Sequence, residues 1–243
     1  MENDFNKIAR QYVEVKQQAW RSAIEEYSFL KLIGDVEGLK VVDIACGQGY
    51  FTRLLKQGNP ASICGFDSSS QMIKLARDEE KSKPMGIDYQ VGDITDESLH
   101  GDFDLAVAAW LLVYAKSYEM LDEVCTGLAR QLKSGGRFVT FTTNCDVHTH
   151  KPDYSKYGFR IDFPDDLHAG SEFRWSGQTS DGLCEVVNYY LPNKAYAVAL
   201  EKAGFRDVKY HAISLSPQAP ETEAYWSYFL QYPPAFMIDA VKS

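Results

Sequence analysis

Apolar positions along this chain follow two alternating rhythms. Short apolar runs occur at Val41–Ile44, Ser62–Asp67, Ile87–Ile94 and Phe103–Ala109, and a fifth follows the Gly135-Gly136 pair and ends at Phe141. Between them lie stretches with helical spacing: Phe51, Leu54 and Leu55 with Gly58 as a stop, then Ser69–Arg77. Strands alternating with helices at this spacing predict an α/β fold with a doubly wound, mostly parallel sheet and right-handed crossovers. Ahead of the first strand, Phe5, Ile8, Ala9, Tyr12 and Val13, and then Trp20, Ile24, Tyr27 and Leu30, predict two helices packed on the sheet. Beyond the fifth strand the rhythm breaks. Residues 144–192 are rich in aromatic, Asp and Gly residues, and Cys184–Tyr190 alternates, which predicts a loop and antiparallel excursion. A helix at Ala195–Ala203 closed by Gly204, a strand within Asp207–Leu215 and an aromatic helix at Thr222–Leu230 complete the pattern.

The chemistry begins where the first strand ends. Asp43-Ile44-Ala45-Cys46-Gly47-Gln48-Gly49-Tyr50-Phe51 reads as a buried strand, a tight loop of small residues and a helix start. Small residues let backbone approach a ligand closely, and the free N–H groups of a helix start favour anions. A phosphate loop needs Lys followed by Ser or Thr after its last Gly, which this loop lacks. A dinucleotide loop needs a small residue where Tyr50 stands. The remaining pattern of Asp43, Ala45, Gly47 and Gly49 resembles motif I of the class I S-adenosylmethionine-dependent methyltransferases.

Further landmarks stand in the order that this family requires. Asp67 closes the second strand about twenty residues after the loop, where a carboxylate suits ribose hydroxyls; read without the family, it is a helix cap. Asp93-Ile94 closes the third strand, and the resemblance implies that the acid meets the adenine amine while its neighbour packs on the ring. The resemblance thus implies S-adenosylmethionine as cofactor, held by Asp43, Ala45, Cys46, Gly47, Gly49, Asp67, Ser68, Met72, Asp93, Ile94 and Ala109. It implies a Rossmann-like methyltransferase sheet with N-terminal lid helices, from which Tyr12 and Arg21 reach the methionine end. Trp20-Arg21, the run Asp43–Arg53, Met72–Arg77 and Trp110–Ala115 are similar to a subfamily of natural-product methyltransferases that includes the N-methyltransferase of toxoflavin biosynthesis. That similarity implies transfer to a nitrogen or oxygen of a small, planar aromatic or heteroaromatic acceptor, with Trp110, Tyr114 and Trp175 as pocket wall. His148 is the candidate for an optional base; His148 and His150 without a nearby carboxylate or third ligand make a poor metal pair, so no metal is expected.

Composition narrows the partners. The chain has 243 residues, 45% of them hydrophobic, which suits one domain: lid helices over 1–35, a cofactor core over 36–144, an acceptor-pocket insertion over 145–192 and a C-terminal part over 193–243. The net charge of −9 argues against a nucleic-acid substrate, whose phosphates demand a basic face. Ala108-Ala109-Trp110-Leu111 also stands where base-amine methyltransferases carry an Asn- or Asp-Pro-Pro-aromatic motif. Five scattered cysteines, an acidic Met1–Asp4 start and the lack of a long apolar run suit a cytoplasmic protein without a membrane partner. Two other readings stay open at this level: an NAD(P)-dependent oxidoreductase on a Rossmann sheet, and a non-catalytic relative that binds cofactor alone.

Overall fold

The computed structural model describes residues 5–243, except for the side chains of residues 6–8 and 10. The acidic start at Met1–Asp4 and the contribution of Ile8 to the first apolar stripe lie outside the described residues. The chain opens with helix α1 (Phe5–Val15), then a π-helical turn (Arg21–Glu26) that runs into α2 (Tyr27–Ile33). The core follows as β1 (Lys40–Ile44), α3 (Tyr50–Lys56), β2 (Ser62–Asp67), α4 (Ser70–Ser82), β3 (Asp88–Val91), β4 (Phe103–Ala109), α5 (Tyr118–Gln131) and β5 (Leu132–Thr143). Strands β6 (Phe159–Asp162), β7 (Glu172–Thr179) and β8 (Gly182–Tyr189) come next, then α6 (Lys194–Lys202), β9 (Phe205–His211), α7 (Glu223–Gln231) and β10 (Ala235–Lys242).

Seven strands form one sheet in the order β3-β2-β1-β4-β5-β10-β9, parallel except where β10 runs antiparallel between β5 and β9. This is the doubly wound, Rossmann-like sheet expected from the apolar rhythm. Val41 and Val42 in β1 and Ala106 and Val107 in β4 are fully buried, because helices cover both faces of these central strands. The second and fourth strands have the bounds read from sequence. Strand β10 was not anticipated: its apolar run follows Pro233-Pro234, beyond the aromatic helix at which the sequence pattern ends. The Gly135-Gly136 pair also differs from expectation. It lies inside β5, whose pairing jumps from Phe103↔Leu132 to Leu105↔Arg137, so it forms an irregularity in the strand instead of a turn before it.

Local rules explain the joints that matter for the site. Ser69 caps α4 by accepting the Met72 N–H at 3.2 Å, so the cap falls to Ser69 and leaves Asp67 two positions before it. A Cβ on Gly127 of α5 would overlap the carbonyl oxygen of Ile94, so only glycine lets α5 lie against the loop that carries Asp93 and Ile94. Arg137 in β5 donates to the carbonyls of Leu32 and Ile33, each at 2.7 Å, and pairs with Asp239 of β10 at 2.8 Å. One guanidinium thereby ties the open C-terminal carbonyls of α2 to the sheet. Strands β6–β8 form a separate antiparallel sheet after β5, as the excursion predicted, and α1 packs between it and α4.

Candidate functional site

Strand order reverses between β1 and β4, which is the crevice where open α/β sheets bind ligands. The backbone is strained there. Ala45 (φ 56°) after β1 and Trp110 (φ 68°) after β4 both adopt the left-handed conformation that non-glycine residues avoid. A cavity of about 570 Å³ opens beside them. Its floor is Ala45, Gly47 and Ala109; one wall is Asp67, Ser68 and Met72; another is Asp93 and Ile94. Phe5 and Tyr12 of α1 close it from above, and Trp110 and Tyr114 stand at its inner end. The carboxylate of Asp67 accepts the Gly47 N–H at 2.9 Å and the Ser69 N–H at 2.8 Å, bridging the loop after β1 to the start of α4. Burial raises its pKa, against the pull of those two N–H groups. Asp93 accepts from the backbone N–H (2.9 Å) and the hydroxyl (2.8 Å) of Thr95 through one oxygen.

A smaller cavity of about 60 Å³ continues from Tyr12, Ala45 and Gly47 toward Arg21, Asp43 and Cys46. Asp43 accepts the Thr52 hydroxyl at 2.6 Å, and burial pushes its carboxyl up to about 7. Burial also holds the Cys46 thiol protonated, so this cysteine contributes backbone and bulk, not a nucleophile. Gly49 lines neither cavity. It turns the chain into α3 at φ 83°, and a Cβ there would overlap the Tyr89 ring, so it shapes the loop from behind.

Residues 41–136 match the family of methyltransferase domains. The demethylmenaquinone methyltransferase of Lactococcus lactis is 27% identical over 85% of this chain and 82% of its own length. The N-demethylindolmycin N-methyltransferase of Streptomyces griseus is 25% identical over 74% of this chain and 75% of its own. Among solved structures, an S-adenosylmethionine-dependent methyltransferase from Clostridium acetobutylicum shares the fold with a TM-score of 0.69, at 16% identity over 99% of this chain and 100% of that one. The chain is an S-adenosylmethionine-dependent methyltransferase with the fold of that class.

The residues of this methyltransferase fit its cofactor. Carboxylates at the ends of β2 and beyond β3 suit hydroxyl and amine donors, and the positive-φ Gly47 leaves open space where any other residue would carry a side chain. The smaller cavity gathers two basic residues, Lys16 and Arg21, with two acidic ones, Glu25 and Asp43. Arg21, buried in the π-helical turn, donates to Glu25 at 2.6 Å, and its Nε has no partner although it is buried. Glu25 also accepts the Trp110 indole N–H and lies 3.7 Å from Lys16. Lys16 and Glu25 were missed in the sequence. Arg21 and Glu25 stand four apart and were legible as a pair, whereas nothing in sequence links Lys16 to them.

A third cavity, about 30 Å³, lies between α1 and the small antiparallel sheet. Its walls are Tyr12, Trp110, Tyr114, Phe159 and Trp175, with Arg21, Ser176, Cys184 and Asn188 as the polar minority. Trp175 stacks on Phe159 at 4.7 Å, nearly parallel, and meets Trp110 edge-on at 5.3 Å. The structure therefore brings Trp110, Tyr114 and Trp175 together as expected of a pocket wall, and adds Phe159. His148 is elsewhere. Its Nδ1 donates to the Cys145 carbonyl at 2.8 Å, its ring meets Phe163 and Tyr190, and it lines a separate polar cavity with Asp153 and Arg160. That cavity shares no lining residue with the other three, because the short 3₁₀ segment Cys145–His150 carries His148 away from them. Expecting a base at His148 is corrected by this placement. Among the described residues, no helix is long and apolar enough to cross a membrane.

Proposed function

We propose that this enzyme methylates a nitrogen or oxygen of a small, planar aromatic or heteroaromatic acceptor of natural-product type. The observation that carries this reading is the sharing of Tyr12, Trp110 and Tyr114 between the 570 Å³ cavity and the aromatic pocket. A flat ring laid against the aromatic wall of Trp110, Tyr114 and Trp175 would pack favourably and lie next to the cofactor cavity. The toxoflavin-type resemblance and the S. griseus N-methyltransferase support a heteroaromatic acceptor.

In this reading Asp67 receives the ribose hydroxyls, with Ser68 beside it. Asp93 receives the adenine amine, while Ile94 and Met72 pack on the ring. Backbone from Ala45 to Gly47, held up by Asp43 and by Gly49 behind it, approaches the amino-acid end; Ala109 leaves room near the methyl, and Tyr12 and Arg21 close over it. Bound S-adenosylmethionine supplies a methyl group already activated on a sulfonium. The protein's contribution is then orientation and exclusion of water.

No residue lining the aromatic pocket serves as a base near neutral pH. Burial pushes Tyr12 up to about 12 and Tyr114 well above its ordinary value, and it raises the Cys184 thiol. An acceptor with an acidic proton, a phenol or a ring N–H, fits such a pocket; an aliphatic alcohol does not. With a net charge of −9, the acceptor is a free small molecule and neither nucleic acid nor membrane. The matching compartment is the cytoplasm. The test is methyl transfer from S-adenosylmethionine, read as S-adenosylhomocysteine release, across planar phenols, N–H heteroaromatics, aliphatic acids and RNA. Turnover confined to the planar compounds supports the proposal. Turnover of RNA or of aliphatic acids alone overturns it.

A further inference from the structure

The small cavity beside the loop after β1 holds a tightly coupled set of charges. Lys16 and Arg21 share one carboxylate, Glu25, and all three line the space beside the loop after β1. Glu25 is 2% exposed and Arg21 8% exposed. The Lys16 ammonium is packed over the rings of Tyr12 (5.1 Å) and Trp110 (5.5 Å), and the Arg21 guanidinium over Trp20 (3.9 Å). Asp43 also lines the cavity, but it accepts the Thr52 hydroxyl and burial pushes its carboxyl up to about 7, so Glu25 is the one firmly ionised carboxylate for Arg21 and the largely buried Lys16. Arginine keeps its proton under any ordinary condition. The lysine is the member that gives way. The ionisable groups facing it are Arg21 and Glu25 from the π-helical turn, Asp43 from β1 and the Tyr12 phenol from α1. Burial first and Arg21 second bring its ammonium down to about 7. The unpartnered, buried Arg21 Nε marks the same cavity as short of one acceptor.

We propose that Lys16 and Arg21 together receive the carboxylate of the cofactor's amino-acid end, and that Lys16 takes up a proton as that carboxylate enters. Glu25 is the resident counter-charge that holds both cations in place while the cavity is empty of ligand. A second anion balances the charge, so the protonated lysine becomes the favoured form and binding is coupled to proton uptake. The sign follows directly. At a pH above about 7 the free-state lysine is largely neutral and binding draws a proton from solvent; below it, the proton is already there and uptake vanishes. The inference rests on the reading that this cavity takes the amino-acid end, and it adds Lys16 as a binding residue and Glu25 as a positioning residue.

Calorimetric titration of the enzyme with S-adenosylhomocysteine, in buffers of differing ionisation enthalpy, counts the protons. At about pH 8 the expected count approaches one proton per site, and it falls toward zero at about pH 6. Methylthioadenosine, which lacks the amino-acid carboxylate, should bind without uptake. Lys16→Met should lose the uptake and weaken S-adenosylhomocysteine roughly tenfold, about one hydrogen bond to a charged group. Lys16→Arg, charged at both pH values, should keep most of the affinity and still lose the uptake, which separates the proton from any loss of folding. Tight binding with no uptake in the native enzyme overturns the inference and leaves the cofactor site standing. Uptake that persists in Lys16→Arg also overturns it, since another group would then carry the proton. Failure of S-adenosylhomocysteine to bind at all would sink the reading of the cavity itself.

Discussion

The cofactor cavity and the aromatic pocket meet at Tyr12, yet they are built on opposite plans. The first, about 570 Å³, stands open at the ends of strands that cannot move without breaking the sheet. The second, about 30 Å³, is nearly filled by its own rings, with Trp175 stacked on Phe159. One site is preformed. The other must part its walls before the proposed planar acceptor can enter. The difference lies in what holds each wall. Asp67 and the loop after β1 are tied by backbone hydrogen bonds to parallel strands, whereas α1 is held to the small sheet by side chains. Glu14 accepts the N–H (2.6 Å) and hydroxyl (2.8 Å) of Ser180, and Gln18 donates to the Gly158 carbonyl at 2.5 Å. Side-chain ties of this kind are exchanged for water at little cost, so the seam between α1 and the small sheet is where the molecule can open.

The largest expected effect breaks the preformed site and spares the other. Asp67→Ala removes a carboxylate proposed to take two charge-assisted hydrogen bonds, each worth about 1.5–3 kcal/mol, so S-adenosylhomocysteine should weaken at least ~100-fold by calorimetry. Far-ultraviolet dichroism should still report a folded sheet. Gly47→Val should match it by another route, because its side chain enters open space from a left-handed backbone. Unchanged affinity in either variant would mean that the ribose end has been misplaced. Trp175→Ala attacks the other half. Loss of the stacked ring should raise acceptor KM by roughly 10–100-fold, the equivalent of about 1.5–3 kcal/mol of lost ring burial, while cofactor affinity stays within twofold. Equal damage to both constants would deny that the two cavities are separate.

The same division explains what was legible in the sequence. Strand ends dictate the cofactor site, and strand ends are read from local apolar runs; Asp43 is the penultimate residue of β1, Asp67 the last of β2, and Asp93 stands two residues beyond β3. The partners that make the rest of the molecule work are distant in sequence. Lys16, Glu25 and Trp110 converge from two lid segments and one strand end, and no spacing rule joins residues 85 positions apart. Phe159 joined the acceptor wall because β6 pairs with β7, a pairing that a short, irregular excursion does not announce. His148 was misjudged for the complementary reason. Its sequence neighbourhood follows β5 like the pocket residues, but a 3₁₀ segment turned it toward Phe163 and Tyr190. Strand β10 was missed because an insertion between β5 and β9 depends on the whole sheet and not on its own eight residues.

Asp43 sharpens the comparison through pH. Its carboxyl is raised to about 7 by burial, so the folded state prefers the protonated form. Stability from this group is complete below the ordinary carboxylate range, near pH 4, and is lost as pH rises toward 7. Asp43→Asn keeps an acceptor for the Thr52 hydroxyl and removes the ionisation. The variant should gain on the order of 1–3 kcal/mol over the native protein at about pH 8 in thermal or urea unfolding, and nothing at about pH 4. An advantage that did not change with pH would assign the effect to packing instead of charge.

The smallest expected effect bears on the seam itself. Glu14→Ala deletes both hydrogen bonds from the half-buried Glu14 to the exposed Ser180, so global stability should fall by no more than about 1 kcal/mol. Its consequence should be local. Amides of α1 and of the turn joining β7 to β8 should exchange hydrogen several-fold faster, and those of β1 and β4 should not change. Acceptor KM and kcat should move while S-adenosylhomocysteine affinity holds, since Asp67 and the loop after β1 do not depend on Glu14. If exchange quickened equally in the central strands, α1 and the core would be one cooperative unit, and the acceptor would have to enter by some route other than this seam.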